Sequence, residues 1–289
     1  MRPHLAFTAL LLVFGSAACS SPATRDTWDR VQRTGIVRVG YAVEPPFALV
    51  DSTGRVSGES PELLRLVMAE LGVDSIEWVG TRFGSLILEL QQGDFDVIAA
   101  GMYITPDRAR AVLFSRPTLR DPTALLIRAT DSARLTTLAD VARNRAARLA
   151  IIAGAAEERL ALAAGLSPSQ LRPVPDPTTG RAAVISGEAD AFALSTVSLS
   201  LLRRTHPDST ALKVVPLSFP NDPQLHDIAL GQPAYAVRLD DITLRSAIDR
   251  ALGRVLGTPR HRAVQQRFEF DSTFDEPTNS QRPPSAPLP

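Results

Sequence analysis

From residue 36 onward, short runs rich in β-branched residues alternate with stretches whose apolar residues recur at helical spacing. That alternation narrows the architecture to parallel-rich sheets covered by helices, because a parallel crossover needs a helix and buries both sheet faces. Residues 36–42 (IVRVGYA), 75–79 (SIEWV) and 95–101 (FDVIAAG) read as strands, with helices over 60–72 and 83–93 between them. In the first helix Ser60 is placed as N-cap, Pro61 at the first helical position and Gly72 at the stop. A second series follows, with strands over 147–154, 171–176 and 189–195 and helices over 137–143, 155–165, 178–187 and 196–205. Strands over 212–217 and 227–239 come next, then a long helix over 241–257 that packs back on the first series. Extended segments near 115–125 and 215–230 join the two series, which predicts two α/β lobes with a double crossover. The boundaries expected are 31–119 for the first lobe, 120–226 for the second and 227–274 for the return to the first. A chain of 289 residues, 44% hydrophobic, is long enough for two such cores.

In open α/β sheets ligands sit beyond the carboxyl ends of the strands. Two lobes turn that edge into a cleft, which closes by a hinge. The exits of three first-lobe strands therefore share one region: Glu44 and Phe47 in VEPPFA, Phe83 in GTRFGS, and Gly101, Tyr103 and Arg108 in GMYITPDR. A planar guanidinium matches a carboxylate through two parallel charge-assisted hydrogen bonds. Thr105 before Pro106 caps a short helical turn. Ring faces of Phe47, Phe83 and Tyr103 attract a desolvated cation, and Glu44 pairs with its N–H groups. Taken singly, Phe47 or Phe83 is more often core, Glu44 more often a solvated turn residue and Arg108 more often a surface charge. Their convergence predicts a cage for a small zwitterion.

Charge excludes one class of partner. Lys+Arg and Asp+Glu are both 31, so nucleic acid, which calls for a basic excess, is not expected. Residues 1–18 have the layout of a secretory signal: Arg2, an apolar run over 5–14 too short to span a bilayer, and small residues before Cys19. Cys19 is the only cysteine, so no intramolecular disulfide forms. Its position resembles that of an acylated lipoprotein cysteine, although Ser16 stands where leucine is usual; ordinary cleavage nearby is the alternative. Residues 19–30 read as a tether and 275–289 as a proline-rich disordered tail.

The stretches GYAVEPPFA, GESPELLRLVMAELG and FGSLILELQQGDFDVIAAGMYITPDRARAVLFSRP resemble the family 3 solute-binding proteins of polar amino-acid ABC importers. The likeness runs from about 30 to 270 and is most specific over 83–117. It implies a two-lobed α/β "Venus flytrap" of type II, a small ligand, an ABC permease as partner, a monomer, and a periplasmic or cell-surface location. It also implies that Arg108 binds the ligand's carboxylate. Within the family the chain looks like the ectoine and hydroxyectoine binders, whose cage residues match Glu44, Phe47, Phe83 and Tyr103; VPDPTTG (174–180, with Asp176) and LSTVSL (194–199, with Ser195) look like that subgroup too. Two positions depart from pattern. Ser195 stands where amino-acid binders usually carry an aspartate for the α-ammonium, and the Gly-Thr turn of the second lobe is here Gly154-Ala155-Ala156. The expected ligand is ectoine or hydroxyectoine first and a polar or cationic amino acid second, with Gly101, Ala156, Asp176 and Ser195 completing the binding set.

The alternative is an exported cyclohexadienyl or arogenate dehydratase on the same scaffold, since such enzymes resemble this family. It needs a catalytic carboxylate or histidine in the cleft. Glu157 and Glu158 follow a second-lobe strand, where a surface helix turn is the commoner explanation, and His206, His226 and His261 have no partner motif. The sequence holds no Ser/His/Asp order, nucleotide loop or metal-ligand spacing, so neither cofactor nor metal is expected. A sensing module is a third option, without an attached signalling domain to support it.

Overall fold

A computed structural model describes residues 26–207, 209–218 and 221–270. The expected signal segment, Cys19 and the proline-rich tail lie outside them. Twelve strands are described: β1 (Ile36–Tyr41), β2 (Leu49–Val50), β3 (Val56–Ser57), β4 (Ser75–Gly80), β5 (Val97–Ile98), β6 (Leu113–Phe114), β7 (Thr123–Arg128), β8 (Leu149–Ile152), β9 (Leu171–Val174), β10 (Ala191–Ser195), β11 (Leu212–Pro216) and β12 (Ala236–Val237).

They form two five-stranded sheets, in the orders β4-β1-β5-β12-β6 and β11-β7-β10-β8-β9, and one small hairpin, β2-β3. In the first sheet β4, β1 and β5 run parallel and β12 runs antiparallel to both β5 and β6. In the second, β9, β8 and β10 are parallel while β7 runs antiparallel to β10 and β11. The carboxyl ends of the parallel strands and the entrance of β7 therefore lie on one edge. That detail decides the site.

The helix Glu59–Glu70 buries Leu63, Leu64, Val67 and Met68, spaced to fall on one face. Each contributes about 1.5–3 kcal/mol of burial. Opposite them pack Leu244, Ile248 and Leu252 of the helix Ile242–Val255, so the late helix does return to the first sheet. The start of the helix Glu59–Glu70 differs from the sequence reading. Gly58, not Ser60, is the N-cap, because the Glu59 and Ser60 N–H groups donate to the carbonyls of Pro46 and Phe47. Carbonyls of the preceding loop thus do the capping, and Ser60 is carried into the helix.

The segment 227–239 is not one strand. Asp222 caps a helix, Pro223–Leu230, through Leu225 N–H, and only Ala236–Val237 pairs in the sheet. The Asp-Pro start and the Gly231 end were both legible; the apolar run after them masked the change. A further helix, Pro259–Arg267, is capped by Thr258 with proline at its first turn.

Candidate functional site

The turn after β5 places the arginine. Gly101 has φ +64°, where a side chain is strained, and a Cβ there would lie 2.5 Å from the Phe47 ring. The chain can then turn into a short helix, Pro106–Ala109, which Thr105 caps by accepting from the Arg108 N–H. Arg108 is only 8% exposed. Its Nη1 donates to the Tyr103 carbonyl and its Nη2 to the Gly154 carbonyl of the second sheet, each at 2.8 Å. The Phe83 ring centroid lies 5.3 Å from the guanidinium carbon, a cation–π contact. Burial pulls the Arg108 pKa down to about 10, which leaves it charged at neutral pH.

Glu44 also bridges the two sheets. Ser198 Oγ, on the helix Thr196–Arg204, donates to its Oε1 at 3.1 Å. Burial, then the nearby Glu157 carboxyl, pushes Glu44 up to about 8. Tyr103 is buried and its hydroxyl donates to the Asp121 carbonyl at 2.7 Å. Burial, then Asp121, raises the phenol well above its usual range.

The second sheet contributes through helix starts. Ser195 caps the helix Thr196–Arg204 by accepting from the Ser198 N–H at 3.3 Å. Asp176 caps Pro177–Ser186 by accepting from the Thr179 N–H at 2.8 Å. Ala156 occupies the cap position of Glu157–Ala163 with no side chain to serve it. A cavity of about 270 Å³ opens between the sheets, lined by Glu44, Arg82 and Phe83 on one side and Ile152 and Asp176 on the other.

Phe47 is placed differently from the expected cage. It is 1% exposed, shut between Gly101 and Phe270, whose ring centroid lies 5.0 Å away. Its faces are spent on core packing, because the segment after Pro259–Arg267 brings Phe270 onto it. Phe83 turns its face to Arg108 itself. Glu44, Phe83, Tyr103, Arg108 and Ser195 come together where the sheets meet.

Two acidic residues join them that the reading of strand exits passed over. Glu157, taken as a surface turn, is 4% exposed, and burial raises its pKa against the pull of Arg108. Asp121 is pushed up to about 7 by burial, and it accepts from the Val197 N–H at 3.3 Å. Asp121 precedes a strand instead of following one. Since β7 is antiparallel, with Thr123 opposite Ser195, its entrance lies where its neighbours' exits lie.

The sheets meet closely. A Cβ on Gly84 would lie 2.9 Å from the Ala153 carbonyl, and one on Gly154 3.0 Å from Gly84 Cα. Backbone therefore faces backbone at that point. Asp107 and Arg159 add an ion pair across the rim at 2.6 Å. Gly84→Ala is expected to hold the sheets apart, costing about 1–3 kcal/mol of closure and so roughly five- to 150-fold in ligand affinity. Titration calorimetry with small-angle scattering checks this; unchanged affinity and unchanged dimensions with ligand would refute it.

Two α/β units closing on a buried arginine define a two-lobed ligand-binding protein of type II. The fold of EhuB in complex with hydroxyectoine matches this one with a TM-score of 0.73 and 28% identity, over 86% of this chain and 93% of that one. Residues 37–271 match the family of bacterial extracellular solute-binding proteins, family 3, and the chain belongs to it. The "Probable amino-acid ABC transporter periplasmic-binding protein y4tE" of Sinorhizobium fredii is 33% identical over 187 residues, 64% of this chain and 61% of that relative. Cyclohexadienyl dehydratase of Pseudomonas aeruginosa is 26% identical over 197 residues, 68% of this chain and 72% of the enzyme.

Among the described residues no helix is long and apolar enough to cross a membrane, and no group of three His, Cys, Asp or Glu side chains is arranged to hold a metal.

Proposed function

We propose that this chain is the exported solute-binding component of an ABC importer and captures a small zwitterion between its lobes, with the carboxylate at Arg108 and the cationic end at Glu44. The observation that carries this reading is Arg108: a charged guanidinium, nearly buried, held at the junction by one carbonyl from each lobe. A ligand carboxylate that takes over the Gly154 carbonyl's place at Nη2 puts a charged acceptor where a neutral one stood, which makes a stronger hydrogen bond. Ectoine and hydroxyectoine come first as candidates, supported by the Glu44-Pro45-Pro46-Phe47 motif and the likeness to EhuB; polar or cationic amino acids come second. The protein acts as a monomer, reaches the periplasm or cell surface by the segment 1–18, and is held there by a lipid on Cys19.

A thermal-shift screen of compatible solutes and amino acids tests the reading. A ligand that binds only the folded chain stabilises it by RT ln(1+[L]/Kd), about 2.7 kcal/mol at a hundredfold excess over Kd. A screen in which no zwitterion raises the melting temperature would refute it.

A dehydratase is the second reading, favoured by a Glu44 carboxyl whose pKa near 8 keeps it protonated at neutral pH and fit to act as an acid. Prephenate and arogenate are the substrates to try, and turnover of either would replace transport by catalysis.

A further inference from the structure

The turn that follows the last helix reaches both lobes. The helix Pro259–Arg267 packs on Glu59–Glu70 of the first lobe and ends in a Schellman turn. Glu269 N–H donates to the Gln266 carbonyl at 3.2 Å, and Phe270 N–H to the Gln265 carbonyl at 2.9 Å. Such a turn needs one residue in the left-handed region, normally glycine, and Gly35, Gly93 and Gly187 fill that place at three other helix ends. Here Glu269 fills it at φ +60°, the only non-glycine with positive φ among the described residues. A side chain kept where glycine fits better points to a task for that side chain.

Both residues of the turn have partners outside it. The Glu269 carboxylate is ion-paired with Arg204, the last residue of Thr196–Arg204 in the second lobe. Phe270, 6% exposed, meets the Phe47 ring of the first lobe edge to face. The two contacts lead to one place. Phe47 lies in the loop that Glu44 and Ala48 close by exchanging backbone hydrogen bonds at 2.9 and 3.0 Å. Arg204 ends the helix whose Ser198 donates to Glu44. Neighbouring residues of one turn thus hold the two elements that meet, across the lobes, at the Glu44–Ser198 bond.

We propose that Glu269 and Phe270 are positioning residues: a brace between the lobes, additional to the two crossovers, that keeps the Glu44 loop and the Ser198 helix in register and draws the cleft in before a solute arrives. They act through Phe47 and Arg204, not on the solute. Phe270 fixes the loop through the Phe47 ring. Glu269 makes the contact that differs between open and closed forms, because parting the lobes breaks its ion pair and leaves the ring pair intact. An exposed ion pair is weak, so the brace biases the hinge without locking it. Raising the population of the binding-competent form before binding lowers the apparent Kd in proportion.

Small-angle scattering, hydrogen exchange and melting curves on the solute-free full chain test this. Glu269→Gly suits the left-handed backbone, so its melting temperature is expected to hold or rise, while its radius of gyration increases as the lobes part. Arg204→Glu is expected to expand the chain likewise, and Arg204→Glu combined with Glu269→Arg to restore wild-type dimensions. Phe270→Ala is expected to speed exchange of the Glu44 and Ala48 amides about tenfold, with Phe270→Leu recovering most of the protection. A role confined to the helix end would move the melting temperature of Glu269→Gly and nothing else. Wild-type dimensions in Glu269→Gly and Arg204→Glu, or no recovery in the charge-swapped pair, would overturn the brace. Unchanged exchange in Phe270→Ala would overturn the part given to the ring. Should Phe270→Ala fail to fold, the Glu269 and Arg204 variants decide alone. No solute enters these measurements, so their failure leaves the solute-binding reading intact.

Discussion

Arg108→Ala is expected to weaken solute binding by about 3 kcal/mol or more, a loss of over a hundredfold. Two effects add. The solute's carboxylate loses its charge-assisted partners, and the nearby acids, half-buried Glu44 and buried Glu157, lose the cation that moderates them. The variant also loses the bond from Nη2 to the Gly154 carbonyl, one of the direct ties between the lobes. Arg108→Lys separates these effects: lysine keeps the charge but not the planar fork, so it is expected to recover only part of the affinity. Calorimetry on both variants, with melting curves to confirm folding, decides the matter. Equal affinity in wild type and Arg108→Ala would remove the arginine from the site.

The second large effect concerns stability. Glu59, the first residue of Glu59–Glu70, is fully buried, and neither of its carboxylate oxygens has a hydrogen-bond partner. Burial pushes its pKa from 4.5 to about 8, and the Tyr235 phenol is the ionisable group beside it. The folded chain thus keeps a proton that the unfolded chain has already lost at neutral pH. Stability from this group is complete below pH 4.5 and is lost as pH rises through 8. The slope is about 1.4 kcal/mol per pH unit while the folded form is protonated and the unfolded form is not. Glu44 and Asp121, also raised, tilt the curve the same way. Glu59→Gln keeps the shape and cannot ionise, so urea unfolding from pH 5 to 8 is expected to show a shallower decline, by up to that slope. An identical decline in the variant would mean that Glu59 is already ionised in the fold.

Much of this was legible in the chain. The alternation of strand and helix signals gave two α/β units, and Thr105-Pro106 marked a helix start that the structure has. The rule that ligands sit beyond strand exits brought Glu44, Phe83, Tyr103 and Arg108 together before any coordinates did. It failed in two informative ways. Exposed and buried aromatics look alike in sequence, so nothing revealed that Phe270 would close over Phe47. A rule about exits also cannot find Asp121, which stands at the entrance of a strand whose direction depends on its pairing partner.

The sequence alone therefore determined what is local: periodicity, turn chemistry, caps, and the residue types that end each parallel strand. These follow from interactions within a few residues and need no partner from elsewhere in the chain. Strand direction, and with it the placement of Asp121, belonged to the tertiary structure, as did the burial of Glu157 and Glu59. Desolvation and charge coupling depend on what surrounds a group in space, and residues distant along the chain supply most of those surroundings.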